Sequence, residues 1–308
     1  MDNRILVIKN EVKKAIIGKD EVIDKVLTAI MAGGHILIDD IPGVGKTTMA
    51  LAFSKAMGLK FNRVQFTPDV LPSDITGFSM YNKETGNFSF VQGASACNFL
   101  LADEINRTSS KTQSALLQIM QEGKVTVDGR TYKLPEPFIV MATQNPIGAV
   151  GTQMLPEAQL DRFMIQIAMG YPDSKAQMQI LKDRSVSDPL DQIRAVVTAQ
   201  DIVQMKQQAN MMYVDDKIYL YITALTEATR KHNLIQLGLS PRGAIALADM
   251  AKADAFVKGM GFVAPENVQA VFKDVCNHRI ILQSKAQLAE KTTDKILTEI
   301  LTLVKAPK

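Results

Sequence analysis

"HILIDDIPGVGKTTMALAF", residues His35 to Phe53, decides the fold of this chain. An apolar run is followed by two acids, by a loop rich in proline and glycine, and then by an amphipathic run with apolar residues four positions apart. This order predicts a buried strand, a tight loop and a helix. A phosphate-binding loop requires the same context.

The loop carries groups suited to a polyphosphate. Gly43 and Gly45 allow successive backbone N–H groups to turn inward around an anion, and the following helix directs the positive end of its dipole to the same point. Lys46 supplies a positive charge for the outer phosphates, and Thr47 supplies a hydroxyl for a magnesium ion. The predicted binding residues of the loop are Pro42, Gly43, Val44, Gly45, Lys46, Thr47 and Thr48.

Asp40 departs from the general pattern of such loops. The pattern G-x-x-x-x-G-K-[ST] has a glycine where this chain has Asp40. A glycine-rich turn with an unrelated lysine is the alternative, and it would leave the strand before the loop and the helix after it unexplained. We therefore interpret the segment as a phosphate loop.

Length, charge and cysteine content restrict the class of protein. A chain of 308 residues suggests about two domains. With 35 basic and 32 acidic residues the net charge is +3, so no bulk attraction to nucleic acid is expected. Cys97 and Cys276 match no metal-binding spacing and indicate a reducing compartment. We find no signal-peptide pattern and no apolar run near the ~18 residues of a membrane span, and therefore expect a soluble, cytoplasmic protein.

A second motif is "CNFLLADEINRT", in which the apolar run from Phe99 ends in Asp103 and Glu104. Open α/β sheets bind ligands at the carboxyl ends of their strands. Asp103 could hold magnesium through its water shell, while Glu104 could orient and polarise the attacking water. Two acids at a strand end are often only a helix cap, and the upstream phosphate loop favours the catalytic interpretation.

Two predicted hairpins flank this region, one around Asn82 and one with Asp128-Gly129 as its turn. The first could be mere decoration of the domain. The apolar run "PFIVMAT" then predicts another strand, which ends at Asn145. Asn145 could hydrogen-bond a γ-phosphate or the attacking water, or it could only cap the strand.

Two arginines are further candidates. Arg162 follows a short helix and could pair locally, or it could be offered to the nucleotide of a neighbouring subunit. Arg242 lies in the first turn of a helix that begins after Ser240. A positive charge there opposes the helix dipole, and a bound phosphate would explain its presence.

From Tyr171 onward the pattern becomes helical, with "SVSDPL" as a linker. We predict a core domain at residues 1–190 and a helical domain at residues 191–308. No strand signal is found in the second. Its predicted helices are Ala199–Ala209, Asp215–His232, Pro241–Val257 and Pro265–Ser284.

The motifs closely resemble those of the MoxR family of AAA+ ATPases over about residues 10 to 285, and in the same order. The matching strings include "DDIPGVGKTT", "VQFTPDVLPSDITGF", "FLLADEINRT", "LPEAQLDRF" and "LGLSPRGAIAL". The resemblance implies an α/β AAA+ P-loop core, with a parallel sheet sandwiched by helices. It also implies a helix-2 insert hairpin, a pre-sensor-1 hairpin and a C-terminal all-α lid domain.

The resemblance also implies residue roles. The matching positions are Lys46 and Thr47 in Walker A, Asp103 and Glu104 in Walker B, Asn145 as sensor 1, Arg162 as an arginine finger acting in trans, Arg242 as sensor 2, and Ile17 and Gly18 beside the adenine. The Asp40 departure is shared by many members of the family. Other positions depart from the expected pattern, namely Ala94, Thr108, Gln153, Met154 and Gly243. They could alter subunit contacts or partner choice.

The expected function is magnesium-dependent ATP hydrolysis by a ring, hexameric by resemblance. Such a ring would remodel or mature partner proteins, and the resemblance points to partners with von Willebrand factor A domains. A magnesium-chelatase-like ATPase subunit is one alternative. A nucleotide-gated scaffold or DNA motor is another, although the near-neutral charge argues against the DNA motor.

Overall fold

The strand predicted before the phosphate loop lies inside a parallel sheet. The computed structural model describes residues 2–84, 86–145 and 155–307, so Gln153 and Met154 lie outside the described residues. The strands are β1 (Ile36–Asp39), β2 (Phe61–Gln65), β3 (Gly77–Asn82), β4 (Asn87–Gln92), β5 (Phe99–Asp103), β6 (Lys124–Val127), β7 (Arg130–Lys133), β8 (Ile139–Gln144), β9 (Ile165–Ile167), β10 (Ile235–Leu237) and β11 (Ile281–Leu282).

Helices lie between and after these strands. In chain order they are α1 (Asn3–Lys13), α2 (Asp20–Met31), α3 (Lys46–Ala56), α4 (Pro72–Thr76), α5 (Ser110–Glu122), α6 (Glu157–Leu160), α7 (Ser174–Val186), α8 (Ala199–Asn210), α9 (Asp216–Lys231), α10 (Pro241–Val257), α11 (Pro265–Cys276), α12 (Ser284–Leu288) and α13 (Thr293–Leu303). A short 3-10 helix, Pro189–Gln192, follows α7 in the segment predicted as a linker.

The central sheet has the strand order β2-β5-β8-β1-β9, and its neighbouring strands are parallel. The register pairs Asp39 with Gln144 and Gln65 with Asp103. The polar residues at the strand ends therefore meet at one edge of the sheet. The phosphate loop, which follows β1, opens onto the same edge.

Both faces of the sheet are buried. Alternate residues of a strand point to opposite faces, so Leu100 and Val140 pack with Leu116 of α5 on one face. Leu101 and Met141 belong to a larger core on the other face, together with side chains from α1, α2 and α3. The predicted parallel sheet between helices is confirmed.

Both predicted hairpins are present, as β3–β4 and β6–β7. Asp128 and Gly129 form the turn of the second, each with a positive φ. The rings of Phe90 and Tyr132 stack with centroids 4.0 Å apart and join the two hairpins. Hairpins of this size cannot bury an apolar face alone, and the stacked rings supply part of that burial.

The C-terminal region is helical as expected, with one addition. β10 and β11 form a two-stranded antiparallel ribbon, for which we find no strand signal in the sequence. Strands this short have no alternating pattern to detect. The prediction that one helix runs from Pro265 to Ser284 is wrong, because α11 ends at Cys276 and the following residues turn toward the sheet and then pair with β10.

The lid helices and the sheet share one core. Helix α10 packs against α2 and α8, and its buried Leu247 and Met250 belong to the same hydrophobic cluster as Ile36 of β1. Within the described residues, no helix is both long and apolar enough to cross a membrane.

Candidate nucleotide site

A cavity of about 720 Å³ opens at the carboxyl edge of the sheet. The predicted residues that line it are Ile17, the whole loop from Pro42 to Thr48, Asp103, Glu104 and Asn145. Gly18 lies between the lining residues Ile17 and Lys19, and a Cβ there would lie 2.7 Å from Cβ of Ala176 in α7. The structure therefore gathers the predicted phosphate, acid and adenine-side segments around one space.

The phosphate loop is shaped to receive an anion. Gly43 and Gly45 have φ values of 84° and 96°, which side-chain-bearing residues rarely adopt. A Cβ on Gly43 would meet no atom within 4 Å, so the space beside the loop is open. Gly45 is the N-cap of α3, and among the described residues no side chain caps that end. Its first N–H groups are available, and these features fit a bound polyphosphate.

Lys46 holds its place through backbone oxygens. Its Nζ donates to the carbonyl of Asp40 at 2.5 Å and approaches that of Gln144 at 3.5 Å. Burial lowers the pKa of Lys46, and the negative charges of Asp40 and Asp103 oppose that shift. A phosphate would supply the compensating negative charge that this buried ammonium has only in part.

The hydrogen bonds that Asp40 accepts explain why this position departs from the general pattern. Its Oδ2 accepts the backbone N–H groups of Met169 and Gly170, each at 2.6 Å, and its Oδ1 accepts that of Ile41 at 2.8 Å. A glycine could supply none of these acceptors. The carboxylate therefore joins the phosphate loop to the segment after β9, which lines the same cavity.

Asp103 is held from two sides. Its Oδ1 accepts the hydroxyl of Thr143 at 2.6 Å, and its Oδ2 accepts Nη2 of Arg63 at 2.6 Å and Nε at 3.2 Å. Asp103 and the Thr47 hydroxyl line the same cavity. Both are hard oxygen donors of the kind that magnesium prefers, so this pair fits the predicted metal.

Glu104 lies in an unusual backbone conformation, with φ 59° and ψ 48°. Such a residue is worth attention in a site, because the conformation is costly for a side chain with a Cβ. Its N–H donates to the hydroxyl of Thr143 at 2.8 Å, so Thr143 connects the two acids. The left-handed turn directs Glu104 away from the strand and into the cavity.

The carboxylate of Glu104 has three donors. Nδ2 of Asn145 donates to Oε1 at 2.8 Å, while Gln65 and Arg107 donate to Oε2 at 2.8 Å and 3.0 Å. Burial acts to raise the pKa of Glu104, but the bonds from Asn145 and Arg107 outweigh it, so that pKa lies below its ordinary value. Glu104 is therefore ionised and oriented at neutral pH, as a group that attracts a water proton must be.

Four residues of this network were not predicted, namely Arg63, Gln65, Arg107 and Thr143. Arg63 and Gln65 lie on β2, and only the sheet order places β2 beside β5. The available signal was their alternation in "FNRVQF", which puts two polar side chains on one face of a short strand. Thr143 is fully buried within an apolar strand, where its hydroxyl must have a partner.

Arg162 and Arg242 do not line this cavity. They line a separate cavity of about 230 Å³ together with Asp161, Asp249 and Arg279, among other residues. Nε of Arg162 is buried and has no hydrogen-bond partner within the described ranges, and no described acid forms an ion pair with its guanidinium. Arg242 is exposed on the first turn of α10.

Three of the other departures have local effects. The N–H of Ala94 donates to the carbonyl of Asp74 at 2.8 Å, a bond that a proline there could not make. Thr108 is 2% exposed, and its hydroxyl has no partner among the described residues. A Cβ on Gly243 would lie 2.4 Å from Leu239 and 3.0 Å from Cδ of Arg279. None of these positions touches the phosphate loop.

Comparison with known proteins agrees with this geometry. The family described as "ATPase family associated with various cellular activities (AAA)" matches residues 35–165, and the AAA lid domain family matches residues 227–300. The chain is 43% identical to the uncharacterized protein YeaC of Bacillus subtilis, over 96% of this chain and 92% of that one. It is 36% identical to Chaperone MoxR1 of Mycobacterium tuberculosis, over 97% and 81%. A crystal structure of an ATPase candidate from Cytophaga hutchinsonii is similar with a TM-score of 0.92 and 39% identity, over 99% and 96% of the two chains.

Proposed function

Because the chain belongs to the MoxR family of AAA+ ATPases, we propose that it hydrolyses ATP with magnesium at the cavity beside the phosphate loop. The observation that carries the proposal is the arrangement of Glu104. Its carboxylate is ionised, lies in a cavity lined by Lys46 and Thr47, and is held by Asn145. A residue that orients water for attack on a terminal phosphate needs that position and that charge.

The proposed roles follow from the contacts. The N–H groups of the loop and Lys46 bind the phosphate oxygens, while Thr47 and Asp103 hold the magnesium ion. A magnesium ion held there would neutralise the charge that develops on the oxygens of the γ-phosphate of ATP. Glu104 orients the water and attracts its proton, and Asn145 holds Glu104 in place. Ile17 and Gly18 form the adenine side.

We assign Arg162 and Arg242 to the nucleotide of a neighbouring subunit. Both lie in a cavity different from the one that contains Lys46. Arg162 has a buried Nε without a described partner, and Arg242 opposes the dipole of its own helix. An anion from another subunit would satisfy both. A closed ring, hexameric by resemblance, would bring each pair of arginines to the next site.

The biological role is proposed at a coarser level. A relative with 36% identity is named a chaperone, which supports the remodelling or maturation of client proteins. Clients with von Willebrand factor A domains rest on the family resemblance alone. The division into a core at residues 1–190 and a lid at residues 191–308 is also a proposal, and the match of the lid family to residues 227–300 is compatible with it.

A reducing, cytoplasmic location is supported by the two cysteines. Both are free and buried. Burial raises the pKa of Cys97 to about 11 and also raises that of Cys276. Thiols in this state are unreactive.

The decisive experiment measures ATP turnover per chain against protein concentration, with particle size measured in the same samples. A specific rate that rises with assembly supports a site completed by a neighbour. Subunits with Arg162→Ala are then mixed with subunits carrying Glu104→Gln. Recovered turnover supports a trans role for Arg162, because the intact Glu104 of one subunit meets the intact Arg162 of another. A constant rate from a monomer would contradict the shared site.

A further inference from the structure

Asp161 connects the arginine pair to the lid. Asp161 directly precedes Arg162 in the chain and is the C-cap residue of α6. Oδ1 accepts Nε of Arg279 at 2.7 Å, and Oδ2 accepts the hydroxyl of Ser240 at 3.0 Å. Ser240 and Arg279 both lie in the region that matches the lid domain family, but far apart in sequence. The carboxylate of Asp161 therefore joins the chain around Arg162 to two separate parts of the lid.

The side chain of Arg279 hydrogen-bonds to backbone carbonyls of the segment around Arg162. Its side chain is only 2% exposed. Its guanidinium donates to the carbonyls of Phe163 and Val275, to that of Met164 at 3.0 Å and to that of Asp161 at 3.3 Å. The planar fork of an arginine can satisfy several acceptors at once. Arg279 therefore holds the three carbonyls that surround Arg162 on either side.

His278, the residue before Arg279, also hydrogen-bonds to this segment. Nε2 of His278 donates to the carbonyl of Phe163 at 3.1 Å. Burial holds the pKa of His278 well below its ordinary value, so the ring is neutral. The early end of α11 at Cys276 is what brings His278 and Arg279 down onto this segment.

Ser240 extends the connection to Arg242. The hydroxyl that donates to Asp161 also accepts the N–H of Gly243 and caps α10. Arg242 lies in the first turn between these two residues. Gly243 has no Cβ, and one would approach Cδ of Arg279 to 3.0 Å, so this glycine permits the close packing of α10 on Arg279.

We infer that Asp161, Ser240 and Arg279 form a clamp that holds Arg162 and Arg242 at a fixed separation, so that the two arginines reach the neighbouring nucleotide as one unit. The three clamp residues are positioning residues, since they act through Arg162 and Arg242. The inference rests on the proposed function, in which both arginines act in trans. Because the clamp spans the core and the lid, any shift of the lid moves Arg162 and Arg242 together.

The test uses the full chain with Asp161→Asn, which keeps the size of the side chain but removes its charge. Alone, this variant should lose about tenfold to a hundredfold in turnover, the scale expected when catalytic groups are misplaced by about 1 Å. Its ATP affinity should be unchanged when the protein is diluted below assembly, since its own phosphate loop is intact. Mixing with an excess of Glu104→Gln subunits should restore turnover, because those subunits offer correctly clamped arginines.

Ser240→Gly provides a second variant. Glycine is a tolerable N-cap, but it cannot donate to Asp161, so the same loss and the same rescue are expected. Ser240→Thr keeps a hydroxyl and should retain turnover. The matched control is Asp254→Asn, which alters a buried aspartate of α10 whose partners are Lys258 and Asn267. It should leave turnover unchanged even if it lowers the melting temperature.

The outcomes separate the clamp from the proposed function. If Arg162→Ala itself is not rescued by Glu104→Gln subunits, the trans role is wrong and the clamp has no pair to position. If Arg162→Ala is rescued but Asp161→Asn and Ser240→Gly are not, the clamp is overturned and its bonds serve only stability. Failure of both clamp variants to assemble, even in the mixture, would overturn it in the same way.

Discussion

The carboxylate of Asp40 accepts the backbone N–H of Met169 at 2.6 Å, and thereby joins the phosphate loop to the opposite wall of the candidate nucleotide cavity. A second bond of equal length reaches the N–H of Gly170. The general phosphate-loop pattern has a glycine at this position. In this chain the departure has a structural role, since the aspartate holds the phosphate loop against the segment after β9.

Asp40→Gly should therefore weaken nucleotide binding, although it restores the general pattern. The buried N–H of Met169 and the partly buried N–H of Gly170 lose their acceptor, and an unsatisfied buried donor costs about 1–3 kcal/mol. We expect a lower melting temperature and, if about half of one such cost appears in binding, an affinity for ATP reduced several-fold. Calorimetric titration with ATP measures the effect.

The adjacent acid supplies the control for this variant. Asp39 accepts a hydrogen bond from the side chain of Gln166, whereas the N–H groups of Met169 and Gly170 donate to Asp40. Asp39→Gly should leave the affinity for ATP closer to that of the unaltered chain. Equal losses in the two variants would contradict the specific role of Asp40.

Asn145→Ala should move the pH dependence of turnover. In the unaltered chain the hydrogen bonds from Asn145 and Arg107 hold the pKa of Glu104 below its ordinary value, so the carboxylate stays charged and turnover is level down into the acidic range. Removing the Nδ2 donor raises the pKa of Glu104, and the acid limb of the profile shifts to higher pH. A hydrogen bond to a charged group is worth about 1.5–3 kcal/mol.

The same bond contributes to stability with a defined sign. Because the pKa of Glu104 is depressed in the folded chain, its contribution is present above the unfolded pKa and is lost as the pH falls through the folded pKa. Turnover and unfolding are measured across the acidic range.

Asn98→Ala is the control for the turnover profile. It removes an amide whose Nδ2 donates to the carbonyl of Pro137. Asn98 precedes β5 and lies at the opposite end of that strand from Glu104, so the variant should leave the acid limb in place. An unmoved limb in Asn145→Ala would contradict the role of Asn145.

Arg63→Gln should lower the magnesium concentration needed for half-maximal turnover. Arg63 occupies Oδ2 of Asp103, the acid assigned to the metal, and so competes with it. The arginine is 46% exposed, and an exposed pair is worth only about 0.2–1 kcal/mol. The expected change is therefore at most about fivefold.

Arg107→Gln is the matched comparison, because Arg107 pairs with Glu104 instead of Asp103. It should leave the magnesium requirement unchanged and raise the pKa of Glu104. A higher magnesium requirement in Arg63→Gln would mean that Arg63 orients Asp103 for the metal, and competition would be excluded.

Thr143→Val should reduce both stability and turnover. The hydroxyl of Thr143 donates to Asp103 and accepts the N–H of Glu104, and valine has nearly the same shape without these bonds. Leaving buried groups without partners costs about 1–3 kcal/mol of unfolding free energy. Denaturant unfolding and turnover measure the two effects.

Thr226→Val in α9 is the control for the loss of a buried hydroxyl. Thr226 donates only to the carbonyl of Ile222 in its own helix, so little change in turnover is expected. If Thr143→Val left turnover intact, the connection between Asp103 and Glu104 would have no part in the reaction.

Much of the fold could be predicted from local patterns. The apolar runs that end in Asp39, Asp103 and Gln144 are strands of the central sheet, and Asp128-Gly129 is the hairpin turn. The resemblance to the MoxR family is confirmed by a relative of that name over nearly the whole chain, and a solved structure confirms the fold. The short lid ribbon could not be predicted, because two or three residues carry no period.

What the sequence by itself determined is the chemistry of the phosphate loop. The order of Gly43, Gly45, Lys46 and Thr47 after a buried strand specifies backbone geometry, charge and hydroxyl within one continuous segment, and such local geometry requires no distant partner.

Only the tertiary structure decided which distant groups meet. The sheet order places Arg63 and Gln65 beside Asp103 and Glu104, and the folding of the lid onto β9 gathers Arg162 with Arg242 through Asp161 and Arg279. These contacts join residues far apart in the chain. They form only when the sheet and helices pack together, because burial then requires each polar group to have a hydrogen-bond partner. For that reason the residues of the phosphate loop could be named from sequence, while the hydrogen-bond network around Glu104 and the proposed clamp around Arg162 could not.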